Sequence, residues 1–149
     1  MSIKIISDNR KARFNYEILE KLEAGVVLTG TEVKSLRAGH LSMAESYATV
    51  IREELFWLHA NIPTYTHGNQ FNHDPMRGRK LLVHRKELIR FIGIIQEKGL
   101  TLIPLKAYWK DGKVKLELGV GRGKKLFDKR KTIKDREWNR DKARILKEG

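Results

Sequence analysis

The sequence predicts a mainly β fold: a small antiparallel barrel, closed or partly closed, flanked by short helices. Three observations predict it. Two runs alternate apolar and polar side chains, and each is joined to a second apolar run by a short polar turn. Only two segments carry a clear helical period, and apolar residues thin out abruptly near residue 120. Residues 1–119 are therefore expected as one barrel domain, large enough to bury about two-thirds of its unfolded surface, and residues 120–149 as a separate basic tail.

Along the chain, Tyr16 to Leu28 fits both a helical and an extended pattern, but Val26-Val27-Leu28 before Gly30 favours a strand bent at Gly25. Thr31 to Arg37 is expected as a short helix capped by Thr31, with Val33 and Leu36 inward and Gly39 as its stop. Ala44 to Ile51 and Leu55 to Ile62 flank Arg52-Glu53-Glu54 and predict a hairpin. In its second strand Phe56, Leu58, Ala60 and Ile62 share one face, and Trp57 and His59 the other. Pro63 to Gly78, with two Pro, two Gly and three Asn or Gln, reads as a surface loop. His84 to Lys98 places Leu88, Ile92 and Ile95 at helical spacing and stops at Gly99. Leu100 to Trp109 and Lys113 to Val120 predict a second hairpin around the Asp111-Gly112 turn, with Val114, Leu116, Leu118 and Val120 on one face. Five or six strands with one or two helices suit a barrel that removes its own edges. Oligonucleotide-binding (OB-like) barrels are a common form of it.

Charge points to the partner. The chain carries a formal +13, and residues 120–149 hold twelve Lys or Arg against five Asp or Glu, so seven of those thirteen charges lie in a fifth of the length. A concentrated cationic appendage on a globular body fits a dense array of negative charge, of which a nucleic-acid backbone is the commonest. If helical, the tail aligns Lys129, Arg136, Arg140, Arg144 and Lys147 in one stripe, with Phe127, Trp138 and Ile145 in a thinner apolar one. Three large apolar residues do not offset the ordering entropy of thirty, so the free tail is expected to be disordered and to become helical on its partner. Aromatics interleaved with cations also suit stacking on bases. With no Cys, disulfides and thiolate metal sites are excluded, which fits a reducing cytoplasm. No apolar run reaches the roughly 20 residues of a membrane span, and no signal peptide or membrane partner is expected.

Catalytic motifs are missing. Gly119 to Lys125 lacks P-loop spacing, since Leu118 stands where a Gly is required and Lys125 where Ser or Thr is; it reads as a basic hinge or a plain linker. His67, His73 and Asp74 match no metal spacing, and no cofactor or metal is expected. An RNA-modifying or RNA-cleaving enzyme built on those three residues is the least supported reading. Arg10, Lys11 and Arg13 beside Asn9 form one basic cluster, and Lys34 with Arg37 another on a single helix face; each suits phosphate positioning or ordinary surface charge. Glu23 reads either as an exposed strand residue or as an acceptor for a base amino group or 2′-hydroxyl, because a carboxylate repels phosphate.

Several ordered segments carry a resemblance. They are Asn9-Arg10-Lys11-Ala12-Arg13, Glu23-Ala24-Gly25, Gly30-Thr31-Glu32-Val33-Lys34-Ser35-Leu36-Arg37-Ala38-Gly39, Ala60-Asn61-Ile62, Arg79-Lys80-Leu81-Leu82, Gly123-Lys124-Lys125, Asp128-Lys129-Arg130 and Arg136-Glu137-Trp138. On these the chain resembles the SmpB family, tmRNA-binding proteins of bacterial trans-translation, over nearly its full length. The resemblance implies a non-enzymatic RNA-binding adaptor: an OB-like barrel that grips the tRNA-like domain of tmRNA, one protein to one tmRNA, and accompanies it to stalled ribosomes. It also implies a tail that enters the decoding centre and empty mRNA channel of the small subunit, lined by rRNA, and is helical there. Asn9, Glu23 and Leu82 match tmRNA-binding positions. Lys124, Lys125, Asp128, Lys129, Arg130 and Trp138 match the tail signature, and Ile145 stands at a usually apolar position. Arg13 and Arg37 are added on physical grounds as phosphate contacts. Phe14 and Phe127 stand where relatives carry His or another ring, which keeps stacking and not a hydrogen bond. The alternative is a ribosomal protein whose basic extension fills rRNA crevices.

Overall fold

The structure is a computed structural model that describes residues 3–65, 72–97, 99–124, 133–134, 136–138 and 140. Seven strands form one antiparallel sheet: β1 (Ile3–Asp8), β2 (Tyr16–Val26), β3 (Tyr47–Ile51), β4 (Glu54–Leu58), β5 (Arg79–Leu82), β6 (Leu100–Lys110) and β7 (Lys113–Gly123), in the order β1-β6-β7-β2-β5-β4-β3. Helices α1 (Arg10–Asn15), α2 (Gly30–Arg37) and α3 (Arg85–Gln96) flank it. The mainly β expectation holds. Among the described residues no pairing joins β1 to β3, although β3 packs across the core against β6 and α3. No helix of the described residues is long and apolar enough to cross a membrane.

Both expected hairpins are present, and local chemistry sets their turns. Lys110 pairs with Lys113 around Asp111 (φ 52°) and Gly112 (φ 75°), the two left-handed residues that a two-residue loop demands. Ile51 pairs with Glu54 around Arg52 (φ 50°) and Glu53 (φ 63°), which adopt that geometry without a glycine. β2 is a strand throughout. It runs beside β7 from Tyr16 to Gly25 with a bulge between Ile18 and Glu20, then passes to β5 at Gly25 and Val26. The bend expected at Gly25 is this transfer from one neighbour to the next.

The core lies between α3 and the inner sheet face: Ala24, Leu55, Trp57, Leu81, Phe91, Leu102, Ala107, Leu116 and Leu118 are all at most 2% exposed. In β4 the inward residues are Leu55 and Trp57, yet Ala60 and Ile62 beyond the strand are also buried. His59, at φ 62°, explains the change: one left-handed residue reverses the alternation, so the single face expected from Phe56 to Ile62 splits in two. On α3 the buried centre is Phe91, flanked by Leu88, Ile94 and Ile95, whereas the expected stripe ran through Ile92. Gly99 follows the helix at φ 89°.

α2 is capped by Thr29, not Thr31. Thr29 Oγ1 accepts from the Glu32 amide at 3.4 Å, and Glu32 Oε1 accepts from the Thr29 amide at 2.8 Å, a reciprocal capping box. Strand β7 also continues past the expected domain boundary, through Val120 (4% exposed) to Gly123. The Gly-rich segment read as a hinge or linker is thus paired backbone as far as Gly123, with Gly119 and Gly121 opposite Ile103 and Thr101.

Candidate nucleic-acid interface

Because strand side chains alternate, the residues between the inward apolar ones share the outer face of the sheet. β6 contributes Lys106, Tyr108 and Lys110; β7, Lys113, Lys115 and Glu117; β2, Lys21, Glu23 and Gly25; and β5, Lys80 and Leu82. Register brings them together: Tyr108 lies opposite Lys115, Lys110 opposite Lys113, Glu23 opposite Glu117, and Gly25 between Lys115 and Leu82. With no side chain at Gly25, a groove of about 360 Å³ opens there, walled by Leu82, Val33 and Trp109 and rimmed by Lys113 and Lys115. Leu82 is 53% exposed at its edge.

Six lysines around two glutamates make this face cationic. Glu23 accepts a hydrogen bond from the Tyr108 hydroxyl, and Lys110 Nζ lies 3.3 Å from the same carboxylate. The Tyr108 bond is the main cause holding the Glu23 carboxyl below its ordinary range; partial burial opposes it, and Lys110 and Lys115 add to it. Burial, then the hydrogen bond to Glu23 and the charge of that carboxylate, push the Tyr108 phenol upward, so it remains a proton donor. Lys106 Nζ lies 3.8 Å from Glu117.

Helix α2 closes one end of the groove. Arg37 stacks over Trp109 with 5.8 Å to the ring centroid, and Lys34 over Tyr65 at 5.7 Å. The helix is held by a pair that the sequence reading missed. Glu32 and Arg79 are both wholly buried, with Arg79 Nε 2.5 Å from Glu32 Oε2, and Arg77 reaches Glu32 Oε1 at 2.6 Å. Arg79 also donates to the carbonyls of Ala60 at 2.8 Å and Pro75 at 3.0 Å. The spacing of Thr29 and Glu32 was the available signal for the capping half of this arrangement.

The basic cluster near the N-terminus lies elsewhere, against the middle of β6 at Pro104 and Leu105. Asn9 is 4% exposed and caps α1: its Oδ1 accepts from the Ala12 amide, its Nδ2 donates to the Pro104 carbonyl at 2.9 Å, and its own amide donates to Leu105. Asn9 thus pins α1 to β6, so that Arg10 stands exposed and Arg13 pairs with Asp8 at 2.6 Å. Asn9, Arg10 and Arg13 form one group; Glu23, Leu82 and Arg37 line the other, with Lys34 on the same helix. Tyr108, Lys106 and Lys110 were not singled out from sequence, although their alternation opposite Lys113 and Lys115 was readable.

His73 and Asp74, the described members of the His67, His73 and Asp74 group, each have local structural partners. His73 Nε2 donates to the Ile62 carbonyl at 2.7 Å, and Nδ1 lies 2.8 Å from the Thr31 hydroxyl. Asp74 caps its own turn by accepting from the Met76 amide. His67 lies outside the described residues, among which no group of three or more ligating side chains occurs. Of the tail, Lys124 donates its amide to the Asn15 carbonyl at 2.9 Å, which fixes where the chain leaves the sheet. Ile133, Lys134, Arg136, Glu137, Trp138 and Arg140 are helical, Trp138 is 65% exposed, and Arg136 lies over the Phe14 ring, 5.9 Å from its centroid. Lys125, Phe127, Asp128, Lys129, Arg130, Arg144 and Ile145 lie outside the described residues.

Comparison with known proteins supplies a context for this geometry. The family model for SmpB protein matches residues 6–148. An SsrA-binding protein of Magnetococcus marinus is 63% identical over 147 residues, covering 99% of this chain and 98% of that protein. One from Caulobacter vibrioides is 55% identical, covering 97% and 95%. A solved chain described as "tmRNA-SmpB: a journey to the center of the bacterial ribosome" superposes with a TM-score of 0.67 at 50% identity, covering 80% of this chain and 85% of that one.

Proposed function

From the premise that the chain belongs to the SmpB family, we propose that it binds tmRNA in trans-translation and delivers its tRNA-like domain to stalled ribosomes. It is an RNA-binding protein and not an enzyme. The observation that carries the site assignment is the outer sheet face, where six lysines surround an ionised Glu23 beside a groove open to Leu82. Lysines supply sequence-independent attraction to phosphates, and the carboxylate, which repels phosphate, supplies discrimination. The sheet is read as an OB-like barrel, because β3 packing across β6 brings its two edges toward each other. Asn9, Arg10 and Arg13 are assigned to a second contact with RNA, in which Asn9 acts by holding α1.

The body and tail divide the work. Residues up to Gly123 bind tmRNA, with Lys34, Arg37, Lys124 and Lys125 at the margins. The tail, with Phe127, Asp128, Lys129, Arg130, Arg136, Trp138, Arg140, Arg144 and Ile145, engages small-subunit rRNA at the decoding centre and the mRNA channel. A helix of twenty residues is about 30 Å long, a length suited to such a channel. One protein acts per tmRNA, in the cytoplasm.

The test is binding of the tRNA-like domain of tmRNA by the full chain and by a Lys113→Ala/Lys115→Ala variant across a salt series. Loss of two phosphate contacts should flatten the logarithmic salt slope by about two. An unchanged slope and affinity would remove the outer face from RNA binding.

A further inference from the structure

We propose that Tyr108 is a positioning residue for RNA recognition: its buried hydroxyl holds the Glu23 carboxylate as the acceptor for an amino group on a base of the bound RNA. The proposal rests on the reading of the outer face as the RNA-binding surface and says which of its groups discriminates.

The geometry is specific. Tyr108 is 4% exposed and lies opposite Lys115, so its ring is locked in the sheet. Its hydroxyl donates to Glu23 Oε2, and Lys110 Nζ lies 3.3 Å from that oxygen and 3.4 Å from Oε1. A carboxylate has about four acceptor sites. Tyr108 and Lys110 both reach Oε2, and Lys110 alone reaches Oε1, while the side chain keeps 36% of its surface open. With two donors on about four sites, acceptor capacity is left over on a side chain open to solvent, among lysines that draw phosphates toward it. Phosphate and carbonyl oxygens are repelled there, whereas the N–H of a base amino group is a matched donor. Without the tyrosine proton, Glu23 would be free to fold onto Lys110 and would present no fixed acceptor. Other groups face it as well: Lys21 on its own strand, Lys115 and Glu117 on β7, and Leu82 on β5.

The experiment measures affinity for the in vitro transcribed tRNA-like domain of tmRNA with the wild type, Tyr108→Phe, Glu23→Gln and the double variant, between pH 4 and 7 and across salt. Each single variant should weaken binding about tenfold, with an unchanged salt slope, and the double variant should be no weaker than Glu23→Gln alone. Because Tyr108 is the main support of the ionised carboxylate, affinity should fail on acidification at a higher pH in Tyr108→Phe than in the wild type. A merely structural tyrosine would not shift that acid limb. Carbon NMR titration of the Glu23 carboxyl in the wild type and Tyr108→Phe reads the same coupling without RNA. Affinity of Tyr108→Phe within twofold of wild type, multiplicative loss in the double variant, or an unmoved carboxyl titration would each overturn the proposal. If Lys113→Ala/Lys115→Ala leaves affinity and slope unchanged, the outer-face reading itself fails. If those lysines matter and Tyr108 does not, only the positioning role is lost.

Discussion

Replacing Glu32 by Gln removes the charge that balances a guanidinium with no exposed surface. Arg79 keeps its bonds to the Ala60 and Pro75 carbonyls, but its Nε loses an anion at 2.5 Å, and Arg77 loses the same partner at 2.6 Å. Breaking a buried ion pair from one side costs about 3–5 kcal/mol, because the remaining charge stays desolvated. Gln retains a side-chain oxygen for the Thr29 amide, so the capping box is largely spared; Glu32→Ala should add about 1 kcal/mol for that loss. At about 2–4 °C per kcal/mol for a chain of this size, Glu32→Gln should melt about 6–20 °C below the wild type. Urea unfolding followed by circular dichroism gives the free energy directly. The pH dependence provides a second check. Burial pushes the Glu32 carboxyl up, but Arg77, the Thr29 amide and Arg79 together outweigh it, so the folded carboxyl titrates below its ordinary value. A carboxyl depressed by folding stabilises above its unfolded value and loses that contribution as pH falls through the folded value. The gap between wild type and Glu32→Gln should therefore be full at pH 7 and narrow below about pH 4.5. A loss under 1 kcal/mol at pH 7, or a gap that does not narrow in acid, would refute the argument.

Two further outcomes follow from the backbone. Substituting Arg52-Glu53 by Asn-Gly should raise stability by about 1 kcal/mol, because both residues are left-handed and carry the steric cost of their side chains; an unchanged urea midpoint would contradict this. Truncation after residue 119 should destabilise the fold, since it removes Val120 and the pairings of β7 with Tyr16–Ile18 and Leu100–Leu102, whereas truncation after Lys124 should melt with the full chain; equal melting of the two truncations would count against it.

What was legible in the sequence was local. The hairpin around Asp111-Gly112 was readable because alternation and turn chemistry both sit within a few residues of one another. On helix α3 the expected Leu88 and Ile95 do pack on the core, but its buried centre is Phe91 and not Ile92, because the two are equally apolar and only the core decides between them. The single face assigned to Phe56–Ile62 failed at His59, where one left-handed residue reversed the strand parity without any glycine to announce it. Strands β1 and β5 and helix α1 were not assigned: six, four and six residues are too few for a period to register, and their pairing is with distant segments. At the site, Glu23 was singled out, yet its partner Tyr108 is 85 residues away. Arg79 and Glu32 are likewise separated by 47 residues, and a buried arginine looks in sequence like any other.

The placement of the two basic regions has a mechanical consequence. β7 carries Lys113 and Lys115 on the outer face and runs without interruption to Gly123, after which the Lys124 amide is tied to Asn15. Gly123 pairs with Tyr16, and Glu23 lies seven residues further along β2. At about 3.3 Å per residue, less the shortening from the bulge and twist, the tail leaves the sheet about 20 Å from the Glu23 cluster. That is about two and a half Debye lengths at physiological salt, so on the proposed function the outer face and the root of the tail act on different stretches of phosphate. RNA bound over Glu23 therefore need not displace the tail root, and pulling on the tail meets the paired length of β7 before it reaches Tyr108. On the proposed function, RNA on the sheet face leaves the exit of the chain at Lys124 unobstructed, with Asn15 of α1 marking that exit.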